Sequence, residues 1–193
     1  MKNSNWKARI PNLMTMINMT LGIHALFFLL IYDTGDYRII SVMLIFAGAL
    51  VDACDGSLAR KLNAVTAMGK QLDSFADLVT FGLAPIALVY ASGLMRTSLA
   101  VPVLAWLYLM AGAYRLARYN LGDFNHYFMG LPITAAGMIV TLYSSAFLIW
   151  DGLFTAVNPG VITSCLLALL AFLMVSRFKV KRLRIYSSSP TSR

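Results

Sequence analysis

The chain has 193 residues, 59% of them hydrophobic and only 12% charged, with a formal net charge of +8. Soluble domains are about 45–50% apolar and about 25% charged. A disordered chain is therefore excluded, and so is a water-soluble enzyme of this size, which would lack the polar groups to cover its surface. What remains is an integral membrane protein of one domain, whose basic excess belongs to helix ends facing anionic lipid rather than to nucleic acid.

Residues 1–12, with Trp6 among Lys2, Lys7 and Arg9, read as a short interfacial amphipathic helix. Six apolar windows follow, each near the 20 residues needed to cross about 30 Å of hydrocarbon. They cover roughly 13–32, 38–60, 71–93, 98–119, 130–150 and 157–176, separated by stretches carrying Gly, Pro or charge. The first contains Asn18 and His24, and no small-residue cleavage site follows it, so it reads as a retained helix rather than a signal peptide. Residues 177–193 form a basic, Ser-rich tail. The expected fold is all-α, with a six-helix transmembrane catalytic domain over 13–176.

Orientation follows from the basic residues. With the N-terminus in the cytoplasm, 14 of the 16 Lys and Arg fall on the cytoplasmic side, and only Arg38 and Arg96 on the other. Five or seven spans would split this bias, so both termini are expected inside. Cys54 and Cys165 sit in apolar stretches without metal-ligand spacing, and His24 and His126 are isolated. Neither pair suggests a disulfide, a zinc site or a catalytic dyad.

The acidic residues carry the chemistry. All eight are Asp, and four of them, Asp52, Asp55, Asp73 and Asp77, flank the turn between the second and third spans. Their spacings, i,i+3 and i,i+4, place each pair on one helix face. Pairing 52 with 77 and 55 with 73 centres the turn near residue 64 in both cases, so an antiparallel hairpin brings all four to one depth. Each Asp at mid-membrane costs about 2.5–3.5 kcal/mol, less near the interface, and four like charges repel. Cations from solution must balance them, and oxygen-only ligands select Mg²⁺, Mn²⁺ or Ca²⁺ over zinc. Two divalent ions balance four carboxylates. The competing readings are carboxylates that face water or cap helix ends, and an ion-transport site.

Gly56, Ala59 and Gly69 keep space open beside the carboxylates. A diphosphate pressed against the backbone fits there, with Arg60 as its forked partner. Ordinary small-residue helix packing is the alternative.

Together, Asp52, Asp55, Gly56, Ala59, Arg60, Gly69, Asp73 and Asp77 resemble the motif of the CDP-alcohol phosphotransferases, with every motif position present. The resemblance runs from Pro11-Asn12 to about Trp150. It includes Leu62-Asn63-Ala64, Leu72-Asp73-Ser74, Phe81-Gly82-x-Ala84-Pro85, the block from Arg115 to Asn120 and Gly130-Leu131-Pro132. Tyr119 stands where the family pattern suggests Phe. The last two blocks point to the bacterial and archaeal members that use L-serine.

The resemblance implies a multi-pass enzyme of a prokaryotic cytoplasmic membrane, its active site facing the cytoplasm. It would turn CDP-diacylglycerol and L-serine into phosphatidylserine and CMP with two divalent cations, Mg²⁺ or Mn²⁺, and would act as a homodimer. Asp52, Asp55 and Asp73 would hold the metals, with Asp77 touching one of them and serving as the base. Gly56, Arg60 and Thr66 would contact the cytidine diphosphate, with Asn12 and Thr15 at its nucleotide end and Ala59 and Gly69 leaving it room.

The acceptor's carboxylate needs a cation away from the four Asp. Arg118, Arg115 and Lys70 are the basic residues on that side, and Arg118 is the expected ligand. Arg115 holds it in place or binds phosphate. Positive-inside anchoring is the alternative for both arginines. The rival functions are a sibling enzyme using glycerol 3-phosphate or an inositol phosphate, and a small cation transporter. The transporter fits poorly, because the Asp lie near the cytoplasmic end rather than at the midplane and no repeat is present.

Overall fold

The computed structural model describes residues 5–32, 34–62, 65–121, 127–149, 158–176 and 179–181. They form six long helices: α1 (Asn5–Ile31), α2 (Gly35–Lys61), α3 (Ala67–Ala91), α4 (Ala100–Leu121), α5 (Ile133–Ile149) and α6 (Pro159–Val175). The first four are long and apolar enough to cross a membrane. The last two have 17 residues each, roughly 26 Å at 1.5 Å per residue. Each of the six windows read from the sequence coincides with one of these helices. Helix α1 starts at Asn5, so residues 5–12 run without a break into the first apolar window. Residues 1–4 and most of the tail after Val175 lie outside the described residues.

Only hydrogen-bonded backbone is tolerated in hydrocarbon, and a helix satisfies it within the segment. The helix surfaces suit lipid: Leu50, Leu121 and Leu169 stand out from them, beside Met43, Trp106 and Phe172, all large, apolar and exposed. Patches on that scale would be a liability in water.

Helix α3 is the central element. Ala84 to Val89 are buried without interruption, so this stretch of the helix is covered on all sides. Its middle, Leu78–Leu83, widens into a π-helical segment. There the Tyr108 hydroxyl of α4 donates to the Phe81 carbonyl at 2.9 Å, while Gly137 of α5 lies so close that a Cβ would sit 2.8 Å from the Phe81 Cα. Helices α1 and α2 close on the same level. A Cβ on Gly48 would meet Thr80 Cγ2 at 2.7 Å and Asn18 Oδ1 at 2.9 Å, and Thr80 Oγ1 donates to the Asn18 carbonyl at 3.1 Å.

Helix ends carry recognisable local chemistry. Thr66 caps α3 by accepting from Gly69 N at 3.0 Å, and Asn158 caps α6 by accepting from Gly160 N at 2.9 Å. One element departs from the all-α expectation. Tyr127–Met129 pairs antiparallel with Lys179–Lys181, a ribbon of three-residue strands too short to leave an alternating pattern in the sequence. Gly130 follows it at φ +71, where a Cβ would lie 2.7 Å from the Met174 carbonyl. Leu131 N then donates to the Leu173 carbonyl at 3.1 Å, which seats the ribbon's exit on the end of α6.

Candidate active site

The last turns of α2 and the first turns of α3 meet at one end of the bundle, beside the start of α1 and the end of α4. One carboxylate oxygen from each of Asp52, Asp55 and Asp73 lies within 4.8 Å of the others. Asp55 is buried, and the other two are half-buried. Asp77 lies one turn further along α3. Asp52 is within hydrogen-bonding reach of both Asp77 and Thr134, and Asp77 Oδ1 is buried without a partner among the described residues.

Unbalanced, the cluster is costly. Two unit charges 4.8 Å apart repel by about 3.5 kcal/mol at an effective dielectric near 20. The donor set fits a hard divalent cation. Ligands at 2.0–2.6 Å stand about 4–5 Å apart across one ion, so a cluster no wider than 4.8 Å has the width of a single coordination sphere.

Surrounding residues fix the carboxylates. Thr15 Oγ1 lies 3.0 Å from Asp55 Oδ2 and 3.1 Å from the Pro11 carbonyl, tying α1 to α2. Asn120 Nδ2 donates to Ser74 Oγ at 2.9 Å, tying the end of α4 to the residue after Asp73. The guanidinium of Arg60 acts on Asp55, and that of buried Arg115 acts on Asp77.

Beside the acidic cluster opens a cavity of about 350 Å³. Of the residues singled out from sequence, Asn12, Thr15, Asp55, Gly56, Ala59, Arg60, Thr66, Gly69, Lys70 and Asp73 line it. Asp52, Asp77, Arg115 and Arg118 do not.

The two motif glycines serve different ends. A Cβ on Gly56 would approach only the Arg60 guanidinium, at 3.5 Å, so this position leaves the cavity open. A Cβ on Gly69 would strike Asn12 Oδ1 at 2.9 Å, so that glycine lets α1 and α3 approach closely.

The two arginines of α4 also part company. Arg118 Nη1 donates to the Val175 carbonyl at 3.1 Å, at the C-terminal end of α6, and its guanidinium lies 5.7 Å from the Tyr114 ring centre. Arg115 is 8% exposed, is attracted by the charge of Asp77 and has no partner for its Nε among the described residues.

Pro11, Val65 and Tyr119 also line the cavity without having been singled out for it. Tyr119 follows Arg115 by four residues and so shares its helix face, a spacing that could have flagged it. Thr134, beside Asp52, gave no signal in the sequence.

The profile of the CDP-alcohol phosphatidyltransferase family matches residues 8–175. The chain is 37% identical over 175 residues to a CDP-diacylglycerol–serine O-phosphatidyltransferase of Bacillus subtilis (strain 168), covering 88% of each chain. It is 31% identical over 170 residues to the protein of the same name from Methanocaldococcus jannaschii, covering 88% of this chain and 72% of the other. A third of that name, from Mycobacterium tuberculosis (strain ATCC 25618 / H37Rv), is 30% identical over 190 residues, covering 94% of this chain and 64% of its relative. The chain belongs to the CDP-alcohol phosphatidyltransferase family.

Proposed function

We propose that this enzyme transfers the phosphatidyl group of CDP-diacylglycerol to the hydroxyl of L-serine, giving phosphatidylserine and CMP. The observation that carries the reading is the cluster of Asp52, Asp55 and Asp73 beside a cavity that Asp55, Asp73 and Arg60 line. The names of the aligned relatives support serine as the acceptor.

In this reading the cytidine diphosphate lies in the cavity against Gly56, Ala59 and Gly69, with Asn12, Thr15 and Thr66 around it. Arg60 forks onto a phosphate oxygen. Two divalent cations, Mg²⁺ or Mn²⁺, held by Asp52, Asp55, Asp73 and Asp77, would neutralise the diphosphate and the departing CMP. The Asp77 carboxylate takes the proton of the serine hydroxyl as that oxygen bonds to the lipid-side phosphorus. The bond from that phosphorus to the CMP oxygen breaks, and CMP leaves with the electron pair. A carboxylate has an ordinary pKa near 3.9, so it accepts the proton late, as the new P–O bond forms. Arg115, Arg118 and Lys70 are the cations available to the serine carboxylate, and Arg115 is the one attracted by the charge of Asp77.

In this reading the chain crosses a prokaryotic membrane six times, keeps both termini in the cytoplasm and opens its site to the cytoplasm, in keeping with the 14 of 16 basic residues that fall on that side. The enzyme acts as a homodimer. Purified protein in detergent, given CDP-diacylglycerol, Mg²⁺ or Mn²⁺ and a panel of alcohols, tests the reading. CMP release is expected with serine above all others, and glycerol 3-phosphate outcompeting serine would overturn it.

A further inference from the structure

Asn18 is a buried polar residue that the function described so far leaves without a task. It lies in α1 with no exposed surface, and neither Oδ1 nor Nδ2 of its carboxamide has a partner among the described residues. Exchanging the amide's oxygen and nitrogen changes nothing, since both are orphaned. Buried amides are normally satisfied, and one that is not costs stability. Polar side chains between membrane helices usually bond across the interface. Here Thr80 bonds to the main chain of Asn18 and leaves its side chain alone.

Its position is informative. Asn18 Oδ1 lies over Gly48, beside Thr80 Cγ2, so the three residues form one layer. Each stands about one turn deeper than a residue of the acidic site: Asn18 follows Thr15 by three, Gly48 precedes Asp52 by four, and Thr80 follows Asp77 by three. The Cα–Cβ bonds of a helix tilt toward its N-terminus, and the N-terminus of α1 is at the site end, so the side chain of Asn18 leaves its backbone on the side of the carboxylates. Asp77 Oδ1 is the orphaned acceptor on their side.

We infer that Asn18 is a positioning residue for the acidic site, its carboxamide holding the Asp77 carboxylate in place through one bridging water. A water with two to four polar partners satisfies groups too far apart to bond directly. The inference rests on the reading of Asp77 as proton acceptor.

The test compares Asn18→Leu, Asn18→Ala and Asn18→Ser with the parent in thermal melting and in steady-state CMP release. Asn18→Leu removes the orphaned amide at similar volume. We expect it to melt no lower than the parent and to keep the KM for CDP-diacylglycerol within about twofold. Its kcat should fall by about 10–100-fold, the usual cost of losing a group that orients a ligating side chain. Asn18→Ser, which keeps a hydroxyl and leaves room for water, should recover more of the rate than Asn18→Ala. Parental kcat in Asn18→Leu overturns the inference. Should Asn18→Leu not fold, Asn18→Ala decides: parental kcat, or a rate equal to that of Asn18→Ser, overturns it equally. CMP release is read with whichever alcohol the parent uses. A parent that prefers another alcohol to serine therefore fails the serine assignment and leaves this comparison intact.

Discussion

Thr15 Oγ1 lies 3.0 Å from Asp55 Oδ2, across the interface between the first and second helices. A threonine in the first helix thus orients a carboxylate of the acidic cluster, although 40 residues separate the two. Thr15→Val keeps the shape and removes the hydrogen bond. It should weaken Mn²⁺ binding by about 10–100-fold, while Thr15→Ser stays near the parent. Mn²⁺ titration followed by electron paramagnetic resonance checks this, and parental affinity in Thr15→Val would leave Thr15 as packing alone.

Asp77→Asn preserves volume and removes the proton acceptor of the proposed transfer. Loss of a general base costs about 10²–10⁴ in rate, and loss of a metal contact should deepen the defect. The expected outcome is folded protein with the parental melting temperature and CMP release at or beyond the lower end of that range. Near-normal turnover would move the base elsewhere.

Arg60 is exposed at the rim of the cavity, with Nη2 3.4 Å from Ser57 Oγ. A guanidinium offers paired planar donors that an ammonium lacks. Arg60→Lys should therefore raise the KM for CDP-diacylglycerol with little effect on the serine KM, and Arg60→Ala should raise it further. If Arg60→Ala binds the CDP-lipid as tightly as the parent, the residue serves only to anchor the helix end.

The two arginines of α4 should separate in a pair of assays. Arg115→Ala should raise the serine KM far more than that of CDP-diacylglycerol, because Arg115 is attracted by the charge of Asp77. It should also narrow discrimination against ethanolamine, which lacks the carboxylate. Arg118→Ala removes the bond to the Val175 carbonyl, one of the carbonyls a helix end leaves unsatisfied. It should lower the melting temperature as well as affect serine. A serine KM unchanged in both variants would place the acceptor's carboxylate elsewhere.

The acidic hairpin was legible in the sequence because helix geometry turns spacing into position. Separations of three and four residues on two antiparallel helices leave few arrangements for Asp52, Asp55, Asp73 and Asp77. The six helices were legible because an apolar run of this length has few other folds open to it. What escaped depends on contacts between distant segments. The π-helical stretch arises where Tyr108 and Gly137 press on Phe81, and nothing local to Leu78–Leu83 announces it. The different tasks of Gly56 and Gly69 follow from whether Asn12 lies opposite. The tether of Arg118 to α6 depends on where a helix 57 residues away happens to end. Asn18 read as one more polar residue in a span until its neighbours showed that none of them bonds its side chain.

The central claim is the transfer itself, and one measurement reaches it directly. Purified protein is given CDP-diacylglycerol and isotopically labelled L-serine, with Mn²⁺ or with chelator, and CMP and labelled lipid are counted together. The account predicts phosphatidylserine and CMP in equal amounts, dependent on the divalent ion and lost in Asp73→Asn. Label absent from the lipid while CMP is released, or transfer that persists unchanged in chelator, would contradict it.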